Sequence, residues 1–163
     1  MNAEWIREVY AAIGEATPLC TDCGNLCAAA CCAPDADGQG DVALLPGEAE
    51  LLHGIDWGLI ERDEAMDSPM LVCSGPCERS KRPFLCRVFP LCPVQKQDGS
   101  WTVRMDARAR AVCPLAGSGL RALDPEFVRG AAKAARILAE DPEGEAFLIR
   151  WAEIEAEFRR PLF

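Results

Sequence analysis

Histidine is almost missing from this 163-residue chain, which has His53 and no other. That scarcity excludes Cys2His2 zinc fingers and His-rich catalytic zinc sites, both of which need several imidazoles. Also lacking is any apolar run near the roughly 18–20 residues that cross a bilayer. The opening stretch Met1 to Tyr10 carries Glu4 and Glu8 where an export signal needs a basic and then a greasy segment. The expectation is a cytoplasmic chain with no membrane partner. No repeat, low-complexity tail, domain linker or glycine-rich nucleotide loop is visible, and the aspartates Asp22, Asp35, Asp37 and Asp41 lack the glycine spacing of an EF-hand and read as turn formers.

What is present is acidic and ordinarily apolar: 26 acidic against 17 basic residues, a net charge of −9, and 50% hydrophobic residues. A chain of this length buries a sizeable core, so it does not depend on disulfides for stability. Yet it holds ten cysteines. Their density lies below the roughly 8–10% of small disulfide scaffolds, and a compartment that keeps thiols reduced points them toward metal. With histidine scarce, the choice narrows to all-thiolate or thiolate-plus-carboxylate sites, which hold zinc or an iron–sulfur cluster.

Periodicity supplies the frame. Trp5, Val9 and Ala12, flanked by Ile6 and Ile13, predict an amphipathic helix over Asn2 to Gly14. Thr17 to Gly40 loses all periodicity and reads as loop. Pro46 with Glu48, Glu50, Leu51 and Leu52 predicts a short helix closed by Gly54. Trp57 to Ile60 and Met70 to Cys73 read as paired strands, and Asp98-Gly99 between Val94–Gln97 and Trp101–Met105 as a hairpin. Pro125 to Glu140 and Pro142 to Arg160 predict two closing helices, with stripes Phe127, Ala131, Ala134, Leu138 and Phe147, Trp151, Ile154, Phe158, broken at Asp141-Pro142. The fold class is therefore α+β: a small single domain, 1–163, with an irregular cysteine-rich core at 20–115, one short hairpin, flanking helices and a C-terminal helical hairpin at 120–163.

Cysteine spacing carries the chemistry. Cys20-Thr21-Asp22-Cys23-Gly24 lets two sulfurs turn toward one ion while the glycine permits the bend. The same C-x-x-C spacing suits a redox dithiol, but no βαβ pattern surrounds it. Cys27, Cys31 and Cys32 complete the first cluster; Cys73, Cys77, Cys86 and Cys92 form the second, and Cys113 follows the hairpin. Between Cys73 and Cys77, Gly75 and Pro76 fix a tight turn. Cys92-Pro93 and Cys113-Pro114 share a feature of ferredoxin motifs whose compact spacing is absent, so zinc and iron–sulfur both stay open. Adjacent side chains point to opposite faces of a strand, or about a hundred degrees apart on a helix. Cys31 and Cys32 therefore either serve two sites, or one is a ligand and the other a small core residue.

Charge is uneven. From Cys73 to Cys113 the basic residues Arg79, Lys81, Arg82, Arg87, Lys96, Arg104, Arg108 and Arg110 face only Glu78, Asp98 and Asp106. Guanidinium donors offset the excess negative charge of a tetrathiolate site, while a solvated basic face or a nucleic-acid contact is the alternative. Only Trp101 offers aromatic stacking there, which weakens the nucleic-acid reading. Arg82 and Arg87, flanking Cys86 between Pro83 and Pro90, are the candidates to face the site or a bound carboxylate or phosphate. His53, alone beside Leu51 and Leu52, reads as an ordinary helix residue.

Cys23-Gly24-Asn25-Leu26-Cys27 followed by Ala30-Cys31-Cys32, the acidic segment at Pro46 and Glu48, and above all Arg82-Pro83-Phe84-Leu85-Cys86-Arg87-Val88-Phe89-Pro90 resemble the YkgJ-type cysteine-cluster family of zinc- or iron-chelating domains. The resemblance spans about Cys20 to Leu115. It implies metal ligation by Cys23, Cys27, Cys31, Cys32, Cys73, Cys77, Cys86 and Cys113, with Cys20 and Cys92 as extras; Cys20 stays a candidate ligand on its spacing from Cys23. The first cluster departs from the family's CxxCxxCC form, since three residues separate Cys23, Cys27 and Cys31. A similar cluster in the flagellin lysine methylase implies that iron–sulfur chemistry and methyl transfer belong among the alternatives. The expected function is metal binding with a mainly structural role. An iron–sulfur or zinc-dependent enzyme is the first alternative and a nucleic-acid-binding adaptor the second.

Overall fold

Asn2 accepts the Trp5 N–H through its side chain and so starts helix α1, Ala3–Ile13, which ends where Gly14 turns to φ +59°. In the computed structural model, which describes residues 2–32, 40–63, 67–74 and 77–159, α1 turns Ile6, Val9 and Ile13 inward. Trp5 and Ala12 lie at the margin of that face, one position from the expected stripe. The inward side packs on a later helix at Gly130, where a Cβ would stand 2.9 Å from the Ala12 carbonyl oxygen. A larger residue there would force the helices apart.

The cysteine-rich stretch contains helix α2, Gly24–Cys27, and a 3-10 turn over Ala30–Cys32, joined through Ala28 and Ala29 in left-handed conformations at φ 50° and 54°. Two successive non-glycine residues there cost about 1–2 kcal/mol each and fold the chain tightly back. Strand β1, Gly40–Ala43, follows, then helix α3, Glu48–Leu51, whose start is set by Gly47 at φ +82°; Pro46 precedes the helix rather than opening it. Strands β2, Gly58–Asp63, and β3, Ser68–Cys73, pair antiparallel as the sequence implied, with longer limits. β1 joins them in the order β1-β3-β2, so Asp41 is a strand residue paired with Val72 and not a turn former. Asp35, Asp37, Gly75, Pro76 and Arg160 lie outside the described residues.

Helix α4, Phe84–Val88, occupies the Arg-Pro-Cys-Arg segment, with Pro83 immediately before it. The hairpin of β4, Leu91–Gln95, and β5, Trp101–Met105, turns at Gly99, φ +82°; it begins three residues earlier than expected because Leu91, Cys92 and Pro93 pair with Met105, Arg104 and Val103. Asp124 caps α5, Pro125–Leu138, and Asp141 caps α6, Pro142–Glu157, each accepting backbone N–H groups beside an N1 proline.

Phe84, Phe127 and Phe147 are fully buried in one core with Val9, Leu91 and Leu138. Each contributes about 1.5–3 kcal/mol of apolar burial. Leu44, Leu52 and Leu71 make a smaller cluster against the three-stranded sheet. The α5 stripe is buried as expected; on α6 Phe147 is buried and Trp151 and Ile154 pack against the core, but Phe158 is 61% exposed and the buried side extends to Leu148 and Glu155. The cause is Glu155, drawn in by Arg104 at 2.5 Å and the Ala107 N–H at 2.8 Å. Among the described residues, no helix is long and apolar enough to cross a membrane.

Candidate metal centre

All ten cysteines are free thiols. Eight lie near one another in two overlapping sets that share the Cys31, Cys32 and Cys86 region. Cys23, on the residue that opens α2, is within electrostatic range of Cys27 and Cys113, and Cys31 of Cys23 and Cys27. Those four line one small cavity of about 60 Å³ together with Cys86 and Arg82. In the second group Cys73, at the end of β3, interacts with Cys77 and Cys32, and Cys86, on α4, with Cys32, Cys73 and Cys77. A cleft of about 300 Å³ exposes Cys32 and Cys86 opposite Arg108 and Trp151, with Cys31 and Arg82 on the shared wall. The groups meet at one peptide bond, where the sulfurs of Cys31 and Cys32 stand 3.9 Å apart.

Titration follows from this crowding. Burial first, then the neighbouring thiols, push Cys73 and Cys86 above the usual thiol range; Cys23 rises through burial, Asp22 and its two thiol neighbours. Cys31 rises chiefly through the hydrogen bond it shares with Cys32, and then through burial. That bond draws Cys32 down to about 6 against its own burial, and Arg82 adds to the effect. Thiolates crowded without a countercharge disfavour one another, and a bound cation reverses that logic by deprotonating its ligands. Among the described residues, however, no three His, Cys, Asp or Glu side chains already stand in an arrangement ready to hold an ion. The sulfurs share neighbourhoods without sitting at coordination distances.

Of the two candidate arginines, Arg82 is the one among the thiols. Its guanidinium lies within electrostatic range of Cys77, Cys32 and Cys86, while its buried Nε has no hydrogen-bond partner. Arg87 faces the protein. It donates to the carbonyls of Arg82 at 2.7 Å, Ser80 at 2.7 Å and Arg79 at 3.1 Å, and its guanidinium sits 4.0 Å over the Tyr10 ring. It therefore shapes the 79–82 turn that presents Arg82.

Beneath it lies a part of the site that sequence reasoning missed. Glu48 is fully buried and accepts from the Tyr10 hydroxyl, the Leu45 N–H at 2.8 Å and the Phe84 N–H at 2.7 Å. Burial raises its pKa, and those donors oppose the rise. Glu48 thereby ties α1 and α3 to the start of the Cys86 helix. The only tyrosine of the chain and an acid just after Pro46-Gly47 were the available signals.

No family model, curated protein or solved structure matches the chain.

The remaining candidates stand apart. Cys20 is exposed, its sulfur 3.0 Å from an Asp124 carboxylate oxygen, which raises the thiol; it shares only an open cleft wall with Cys77 and Arg82. Cys92 is buried on β4, pushed up to about 12 by burial and by the nearby Asp106 and Glu155, and serves as a core residue. His53 is exposed beyond α3.

Proposed function

We propose that this chain binds metal through two thiolate centres, Cys23, Cys27, Cys31 and Cys113 in one, Cys32, Cys73, Cys77 and Cys86 in the other, with zinc or an iron–sulfur cluster as occupant. Membership of the YkgJ-type family and residence in a reducing cytoplasm belong to the same proposal. The observation that carries it is the gathering of thiols from distant segments around Cys31 and Cys32, with Cys23, Cys27, Cys31, Cys86 and Cys113 on one cavity, Cys31, Cys32 and Cys86 on the adjoining cleft, and Cys73 and Cys77 beside Cys32 and Cys86. The split into two fours is part of the proposal. Four thiolates are a full tetrahedral set for one ion.

The occupant would neutralise sulfurs that otherwise repel and would fix a loop containing two left-handed alanines. Tetrathiolate zinc contributes about 10–16 kcal/mol to small folded modules, comparable with the whole margin of a typical domain. Arg82, near Cys77, Cys32 and Cys86, offsets the negative charge left by four thiolates. The test is anaerobic purification with elemental and sulfide analysis. Two zinc equivalents, or iron with matching sulfide and a brown colour, support the centres; a chain with neither metal nor sulfide contradicts them.

A second reading, enzymatic, is favoured by one observation: the 300 Å³ cleft beside Cys32 and Cys86 is walled by Arg82, Arg108 and Trp151. An open metal position there would hold a water or a substrate. The nucleic-acid reading draws no such support, since Arg79 pairs with Glu15, Arg104 with Glu155 and Arg108 with Asp106.

A further inference from the structure

We infer that Cys31 and Cys32 form an oxidative modification site, at which a hydroperoxide converts the two neighbouring thiols into a vicinal disulfide. The sulfurs are 3.9 Å apart and both residues are exposed, whereas Cys92 is buried and Cys20 is turned to Asp124. A disulfide needs about 2.05 Å between sulfurs, and adjacent Cα atoms, about 3.8 Å apart, lie below the roughly 4.4–6.8 Å that disulfides usually span, so closure needs the backbone of the Ala30–Cys32 turn to adjust as well as the sulfurs. The pair sits in a short 3-10 turn after two left-handed alanines, outside any long helix or strand that would resist the adjustment.

The chemistry balances without further reactants. One thiolate attacks the peroxide oxygen, giving a sulfenic acid and, from hydrogen peroxide, water; the second thiol displaces the sulfenic oxygen as another water. Two sulfurs lose two electrons, the O–O bond takes them, and two thiol protons leave in the waters. An exposed disulfide of this kind is readily reduced again by a dithiol.

The consequence rests on the two-centre reading. Because Cys31 belongs to one group and Cys32 to the other, a single two-electron oxidation withdraws a ligand from both centres at once.

The experiment treats the reduced full chain, metal-free and metal-loaded, with one equivalent of hydrogen peroxide, then maps disulfides by mass spectrometry under non-reducing conditions. The expected product has lost two hydrogen masses, located at Cys31–Cys32, and dithiothreitol reverses it. C31S and C32S lack this product; C92S keeps it. From the loaded chain both metal equivalents leave together. A disulfide at another pair, such as Cys20–Cys23, or sulfinic acids at Cys31 and Cys32, overturns the inference. A Cys31–Cys32 disulfide in a chain that binds no metal removes the centres and keeps the modification site. Stoichiometric metal binding with no such disulfide does the reverse.

Discussion

A Glu48 carboxylate oxygen lies 2.7 Å from the backbone nitrogen of Phe84, so a fully buried acid holds the first residue of the helix that presents Cys86. Removing it leaves the Phe84 and Leu45 N–H groups and the Tyr10 hydroxyl without their acceptor. E48A is expected to lose about 3 kcal/mol or more of stability in urea titrations, and E48Q about 1–3 kcal/mol, because the amide still accepts but donates wrongly. Equal midpoints for wild type and E48A would remove this anchor.

Glu155 sets an acid limit. Burial works against its charge, but Arg159, the Ala107 N–H and Arg104 outweigh that and hold the carboxyl down at about 2. Since its pKa lies below that of an unfolded glutamate, the stability it supplies is complete above about pH 4.5 and is lost as pH falls toward 2. Urea midpoints measured from pH 6 to pH 3 should fall for the wild type and fall less for E155Q. E155A leaves two partly exposed arginines solvated and the Ala107 N–H without its acceptor, and is expected to cost about 1–3 kcal/mol at neutral pH.

These two acids mark where sequence reading stops. Helices α1, α5 and α6 and the Gly99 hairpin were legible because apolar period and cap residues are local properties. The turn of α6 was not, since it depends on Arg104 and Ala107 reaching Glu155 from some fifty residues away. β1 escaped notice because only its pairing with β3 makes Gly40–Ala43 a strand. The cysteine candidates were legible from spacing, and so was the option that Cys31 and Cys32 serve two sites, but which distant cysteines lie beside each of them was not, because that depends on where separate segments cross.

The grouping makes separable variants. C23S and C113S should each lower bound metal by one centre's content and leave the other, while C73S and C86S should do the converse. Melting temperature should drop with metal content in all four. Elemental analysis of the purified variants checks this; loss of all metal in each would indicate one shared centre.

Cys20 and Cys92 supply the contrast. C20S should keep full metal content and nearly unchanged stability, because its sulfur faces Asp124 at the surface. C92A should also keep its metal but lose about 1–2 kcal/mol, the usual cost of trimming a small buried side chain. Depleted metal in C20S would return that residue to the ligand set.

Arg87 has a different task from Arg82. R87M removes three carbonyl contacts and the stacking on Tyr10, and is expected to destabilise by about 1–3 kcal/mol. R82M should cost less stability and weaken metal retention under chelator challenge, because Arg82 stands beside the sulfurs. Matching behaviour of the two variants would deny the division of labour.

The most direct test is X-ray absorption at the metal edge of the anaerobically purified full chain. Thiolate centres predict about four sulfur neighbours per metal near 2.3 Å for either zinc or an iron–sulfur cluster. A first shell of oxygen or nitrogen near 2.0–2.1 Å, with sulfur in the minority, would contradict the convergence of these cysteines on metal.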